Sequence, residues 1–168
     1  MRRRQFLLGG AGVLALAGGG AAFGLARSTR PAGATEETFE ITKTDAEWKA
    51  QLPPERYAVL RREDTERAFS SPLNDEHRAG TFSCAGCELP VYSSAAKFDS
   101  GTGWPSFWKA LPGAVGTRTD NSFFMTRTEC HCSRCGGHLG HVFDDGPPPT
   151  GMRHCINGLA LNFTPAQA

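Results

Sequence analysis

Beyond its first 34 residues the chain has no long apolar stretch and no run of basic side chains. The first absence leaves the body of the chain without a membrane-crossing segment, which needs about 20 apolar residues. The second removes the electrostatic footprint of a nucleic-acid binder, and no such partner is expected. All 17 acidic residues lie beyond Ala34, whereas five of the 18 basic ones (Arg2, Arg3, Arg4, Arg27 and Arg30) precede it, so the remainder carries 13 minus 17, or −4. No long helical period follows Leu60, and nothing repeats except two short cysteine motifs. The cysteines are also not spread as in a disulfide-stapled secreted domain. Of six, four fall in the C-x-x-C pairs Cys84/Cys87 and Cys132/Cys135, which leaves Cys130 and Cys155.

What is present begins with a leader. Residues 1–7 open on charge, residues 6–26 carry none, and Ala32 and Ala34 offer an A-x-A cleavage site after Ala34. The Arg3-Arg4-x-Phe6-Leu7 core is similar to a twin-arginine signal, the bacterial route for proteins exported already folded. Residues 1–34 are therefore read as a twin-arginine-type signal and the product as periplasmic. The alternative is a retained anchor facing the same compartment, the only way this chain would hold a membrane. Seven glycines among the 21 uncharged residues weaken an anchor helix. Residues 35–43 read as a polar linker and 44–168 as one domain.

Within the domain, Thr44-x-x-Glu47 has the form of a capping box, with Trp48 and Leu52 four apart behind it. Pro53-Pro54 ends that helix and can start a second over 55–60, since proline's missing N–H costs nothing at a helix start. Residues 61–79 read as an ordered loop. Short extended candidates follow at 81–83, 89–92, 114–119, 122–127, 153–156 and 159–163, bounded by Gly, Pro, Asp or Asn. The fold class expected is mainly β: a small antiparallel barrel or two packed sheets, with short helices at the start. His138 and His141 are placed in a glycine-broken turn.

Two C-x-x-C pairs can set four sulfurs at the corners of a tetrahedron, which suits one structural zinc per chain held by Cys84, Cys87, Cys132 and Cys135. The 44 residues between Cys87 and Cys132 exceed the span of a simple ribbon, so the metal would staple two distant parts of the domain. Four sulfurs leave no open position, which points to folding rather than catalysis. Cys155 is different. It stands alone between Arg153-His154 and Ile156-Asn157, and a thiol flanked by cationic and hydrogen-bonding residues is a candidate nucleophile.

Between the knuckles lies Lys97-Phe98-Asp99-Ser100-Gly101-Thr102-Gly103-Trp104-Pro105-Ser106-Phe107. Together with H-L-G-H-V-F-D-D-G (138–146) and R-H-C-I-N (153–157), this resembles the type B methionine sulfoxide reductases from about Thr44 to Phe163. The resemblance implies reduction of the R epimer of methionine sulfoxide in peptides and proteins, with a thioredoxin-like protein or small thiol as reductant. It casts Cys155 as the thiolate that attacks sulfur, and His138 and His141 as proton donors near neutral pH. Trp104 and Phe143 become apolar walls, Arg153 helps to hold the thiolate and Asn157 orients the site. A second metal at the histidines has no obvious carboxylate to complete it. Asp144-Asp145 reads as structural, and Cys130, His131 and His154 as inessential. Many members of that family carry a resolving cysteine where this chain has Thr102. Two readings from other classes stay open: a zinc-stapled binding module without turnover, and a thiol-based peroxide sensor.

Overall fold

The computed structural model describes residues 37–122 and 125–167; the leader read over residues 1–34 lies outside them. Thr44 caps helix α1 (Asp45–Gln51) reciprocally: its side chain accepts from Glu47 N, and the Glu47 carboxylate accepts from Thr44 N at 2.7 Å. Helix α2 (Pro54–Arg62) starts on proline and buries Tyr57, Val59 and Leu60. The described part of the segment read as a linker is docked. Ile41 N donates to Arg134 O at 3.0 Å, and the Phe39 ring lies edge-on to His131 at 5.7 Å.

Among the described residues nine short strands follow: β1 (Gly80–Cys84), β2 (Pro90–Ser93), β3 (Lys97–Phe98), β4 (Ser106–Phe107), β5 (Val115–Asp120), β6 (Arg127–Cys132), β7 (His138–Phe143), β8 (Arg153–Ile156) and β9 (Leu161–Pro165). They form two antiparallel sheets, one in the order β2-β1-β9 and the other in the order β3-β4-β8-β7-β6-β5. The mainly β, two-sheet architecture with short helices ahead of it is the class expected above. The core joins the sheets through rings: Tyr92 of β2 stacks on Phe107 of β4 at 4.3 Å, and Phe82 of β1 meets Phe107 edge-on at 5.0 Å. All three are fully buried, each contributing about 1.5–3 kcal/mol.

Two local expectations are corrected. The described residues among 122–127 contribute only Arg127 to a strand. His138 and His141 do not sit in a turn but on β7, whose register against β6 slips by one residue: Cys130 pairs with Gly140, but His131 pairs with His138. The extra residue on β7 is a β-bulge, and it brings two side chains three positions apart to one face. Gly140 is what lets β7 and β8 close up there, because a Cβ at that position would stand 2.0 Å from Cys155 O.

The register of the larger sheet organises everything that follows. Arg118, Glu129, His141, Cys155, Ser106 and Phe98 are paired in turn across all six strands. Directly paired residues share a face, so this row lies on one side of the sheet. The next row, Thr117, Cys130, Gly140 and Ile156, faces the opposite side, where Cys130 and Ile156 are buried in the core.

Candidate active site

Cys155 sits on the outer face of the larger sheet, half-buried, with His141 directly across on β7. Cross-strand partners of this kind have Cβ atoms about 4.5–5.5 Å apart, so the pairing alone puts an imidazole beside the thiol. Two residues along each strand the same face carries Phe143 and Arg153, which also pair directly. The Arg153 guanidinium lies 4.3 Å from the centre of the Phe143 ring, and its fork grips Asp145 at 2.8 and 2.9 Å. Asp145, in the turn after β7, is the structural carboxylate that aims Arg153.

The loop before β4 closes the other side. Thr102 Oγ1 lies 3.8 Å from Cys155 Sγ and is tied through Ser100 to Ser106 by bonds of 2.8 and 2.7 Å. Trp104 is set by its indole N–H, which donates to Glu66 O at 3.1 Å. Gly103, at φ +93°, is packed so closely on Phe69 that a Cβ would stand 2.8 Å from its nitrogen. Thr65, Trp104, Arg127, Gly140, His141, Phe143, Cys155 and Asn157 enclose a cavity of about 130 Å³. That is the share of about four liquid waters, room for a methyl and its sulfinyl group rather than for a whole peptide. A larger cavity of about 600 Å³, between Arg56 and Phe163, is lined by no cysteine or histidine and belongs to other business.

Asn157 lines the cavity but spends its amide on the fold. Its Oδ1 accepts from Glu66 N at 3.0 Å, and its Nδ2 donates to Leu139 O at 3.2 Å. Glu66 in turn offers its carboxylate to Gly158 N and to Leu159 N. One residue from the loop after α2 thus holds the ring of Trp104, the amide of Asn157 and the chain just past β8. Sequence reasoning passed over Glu66, because nothing in a charged loop marks one acid among several.

Carboxylates do accompany the histidines, contrary to the sequence reading. His138 Nδ1 lies 2.7 Å from Glu129 Oε1, and His141 Nε2 lies 2.8 Å from Asp120 Oδ2. They were missed because they come from neighbouring strands, β6 and β5, not from nearby sequence. A period-two reading of Glu129-Cys130-His131-Cys132 would have exposed the anomaly of an acid inside a buried strand. His138 is 2% exposed and its Nε2 has no protein partner among the described residues. Its ring meets His141 edge-on at 5.4 Å.

The electrostatics of the thiol also differ from expectation. Burial pushes the Cys155 thiol above its ordinary value; the Thr102 hydroxyl and Arg153 pull it down without overcoming that. Cys155 therefore keeps its proton at neutral pH until substrate arrives. For His141, burial pushes the pKa down and outweighs the bond to Asp120, so the ring rests neutral near pH 7.

Cys130 faces away. It belongs to the next row, and Cys155 is two strands distant, about 10 Å at the usual strand spacing. A disulfide needs Cα atoms within about 7 Å. Its thiol meets Tyr92 Oη at 3.3 Å, and Tyr92 Oη meets His154 Nδ1 at 3.2 Å. Burial pushes the Cys130 thiol up to about 12, so it is inert as a nucleophile.

Away from this face, the two knuckles converge. Cys84 ends β1 and Cys132 ends β6, with Cys87 and Cys135 in the tight turns that follow. All four Sγ atoms lie within 4.8 Å of one another, with Cys84–Cys135 at 3.8 Å and Cys87–Cys132 at 3.5 Å. A tetrahedral Zn–S₄ centre with bonds of about 2.3 Å has edges of about 3.8 Å, so the donor set fits zinc in number, chemistry and spacing. Because β1 and β6 belong to different sheets, a metal here would clamp one sheet to the other.

The model of the SelR domain family matches residues 52–165 of the chain. A peptide methionine sulfoxide reductase MsrB of Thiobacillus denitrificans is 59% identical over 124 residues, which cover 73% of this chain and 94% of that protein. The protein of the same name from Agrobacterium fabrum is 50% identical over 127 residues, 75% of this chain and 94% of its own length. One from Methanosarcina mazei is 52% identical over 126 residues, 74% of this chain and 90% of that protein.

Proposed function

The chain belongs to the SelR domain family, and from that membership together with the outer face of the larger sheet we infer that it reduces the R epimer of methionine sulfoxide in peptides and proteins. The observation that carries the reading is the pairing of Cys155 with His141 beside a small cavity walled by Trp104 and Phe143. The substrate methyl packs against the two rings and the sulfinyl oxygen points to the histidines. Sγ of Cys155 attacks the electrophilic sulfur as its proton passes to the free ring nitrogen of His138 or His141, and the imidazolium so formed hands that proton to the oxygen. The balance is simple: the substrate sulfur gains two electrons, Cys155 loses them, and the oxygen ends on Cys155 as a sulfenic acid. Arg153, aimed by Asp145, steadies the negative charge on Sγ during attack.

Recycling follows from geometry too. With Thr102 beside Sγ and Cys130 on the opposite face, no second thiol of the chain's described part reaches the sulfenic acid. Two external thiol equivalents restore Cys155 and release water and a disulfide. A small thiol or a thioredoxin-like protein supplies them. Zinc in the Cys84/Cys87/Cys132/Cys135 cluster contributes stability and takes no part in turnover.

A single experiment tests activity and recycling together. Protein incubated with one epimer of a methionine sulfoxide peptide and no reductant should consume about one equivalent of the R form, none of the S form, and gain one oxygen on Cys155. Oxygen on Cys155 without loss of sulfoxide would instead indicate a peroxide sensor. A Cys130–Cys155 disulfide as the main product would overturn the external-thiol route.

Export completes the proposal. Residues 1–34 act as a twin-arginine-type signal cleaved after Ala34, supported by Arg3-Arg4-x-Phe6-Leu7 and by the lack of acidic residues before that point. A metal-clamped fold completed before export suits that route. Replacing Arg3 and Arg4 by lysine should leave the precursor in the cytoplasm; normal export of that variant would assign the general secretory route.

A further inference from the structure

The family motifs leave one buried acid without a task. Glu129 is 2% exposed, yet it stands in the row of His141 and Cys155 and so faces the reacting groups. Its two oxygens are fully used. Oε1 takes His138 Nδ1 at 2.7 Å and Arg118 Nη2 at 3.2 Å, while Oε2 takes Arg118 Nε. Arg118 reaches on to Glu63 at 2.7 Å, which ties the buried acid to the surface. Burying such a carboxylate is expensive, and an apolar residue would hold a strand at less cost.

The partners dictate its state. Burial alone would raise the Glu129 pKa, but His138 and Arg118 more than offset it, so the carboxyl is ionised. An ionised carboxylate only accepts hydrogen bonds, so His138 must carry its proton on Nδ1. His141 is held the other way round, by Nε2 on Asp120. The two imidazoles thus present opposite free nitrogens. In His138 that is Nε2, the buried atom without a protein partner among the described residues, in a ring that lines a separate cavity sharing Thr65, Arg127 and His141 with the one beside Cys155.

We propose that Glu129 is a positioning residue of the reaction: held ionised by Arg118, it fixes the tautomer and ring plane of His138 and keeps Nε2 unprotonated, free to take up the proton released in the attack and pass it to the sulfinyl oxygen. The proposal rests on the reading of His138 given above. Its logic is that of a carboxylate orienting a catalytic imidazole, where exchange for an amide costs orders of magnitude because the wrong tautomer results.

Glu129→Gln is the test. Arg118 will claim the amide oxygen, so the NH₂ group turns to His138 and drives the proton to Nε2. With dithiothreitol as reductant and an R-sulfoxide peptide as substrate, kcat should fall about 100-fold with little change in KM. Long-range ¹H–¹⁵N spectra of the imidazoles should show His138 as the Nδ1–H form in the parent protein and as the Nε2–H form in the variant. A kcat within about three-fold of the parent would overturn the proposal. So would an Nε2–H signature for His138 in the parent protein, a result that needs no variant to fold. His138→Ala separates the two readings. If it loses kcat while Glu129→Gln keeps it, only the positioning role fails. Should His138→Ala itself keep its rate, the assignment of His138 to the chemistry fails first.

Discussion

Cys155→Ser should reduce sulfoxide turnover to below about a thousandth of the parent rate while leaving the melting temperature and metal content unchanged. The hydroxyl matches the thiol in shape, and Thr102 can still hydrogen-bond to it, so the outer face survives. What is lost is a soft sulfur that can take an oxygen and give two electrons, which serine cannot do. Retention of even a tenth of the activity would place the nucleophile elsewhere. The same sulfur has a pH signature. Because burial raises its pKa in the free protein, alkylation of Cys155 by iodoacetamide should be slow at neutral pH and still be rising above the range of an exposed thiol. Arg153 opposes that burial, so Arg153→Ala should move the alkylation profile further to alkaline pH. A profile centred below the ordinary thiol value would contradict the resting thiol described above.

The second large effect concerns the metal. Structural zinc sites of this donor set bind with about 10–16 kcal/mol of apparent free energy, and a domain of this size is stable by only about 5–15 kcal/mol. Binding and folding draw on the same free energy, so stripping the metal should unfold the protein rather than loosen it. Metal analysis should find about one zinc per chain. A strong chelator at raised temperature, or Cys84→Ser, should abolish the cooperative melting transition. A melting temperature within about 5 °C of the parent would show that the clamp between β1 and β6 is dispensable. Less than about half a zinc per chain in carefully purified protein would show that the four sulfurs hold something else.

The parts of this molecule visible in its sequence are those written in consecutive residues. The capping box at Thr44, the proline that opens α2, the two knuckles and the isolated Cys155 each depend on spacings of two to four positions. The residues that were not visible depend on register. Asp120 and Glu129 reach His141 and His138 from two other strands, and the approach is decided by a one-residue slip at Gly140 that no local pattern announces. Glu66 was hidden for a different reason. Its importance lies largely in its backbone, where N–H and C=O hold Asn157 and Trp104, and main-chain groups are the same in every residue. The half-correct expectation about Arg153 has a third cause. Charge beside a thiol can be read from sequence, but the burial that outweighs it cannot.

Gly140 brings no side chain to the cavity it helps to line, yet it carries a consequence for how the chain can drift. The carbonyl of Cys155 occupies the space where any side chain at position 140 would begin. Relief would require β8 to move away from β7, and with it the nucleophile from its imidazole. A substitution there should therefore cost turnover about as surely as one at Cys155, and a survey of tolerated mutations would score this glycine as if it were part of the chemistry. Intolerance measured at position 140 would be the shadow of a distance, the narrow gap that keeps thiol and histidine on adjacent rungs.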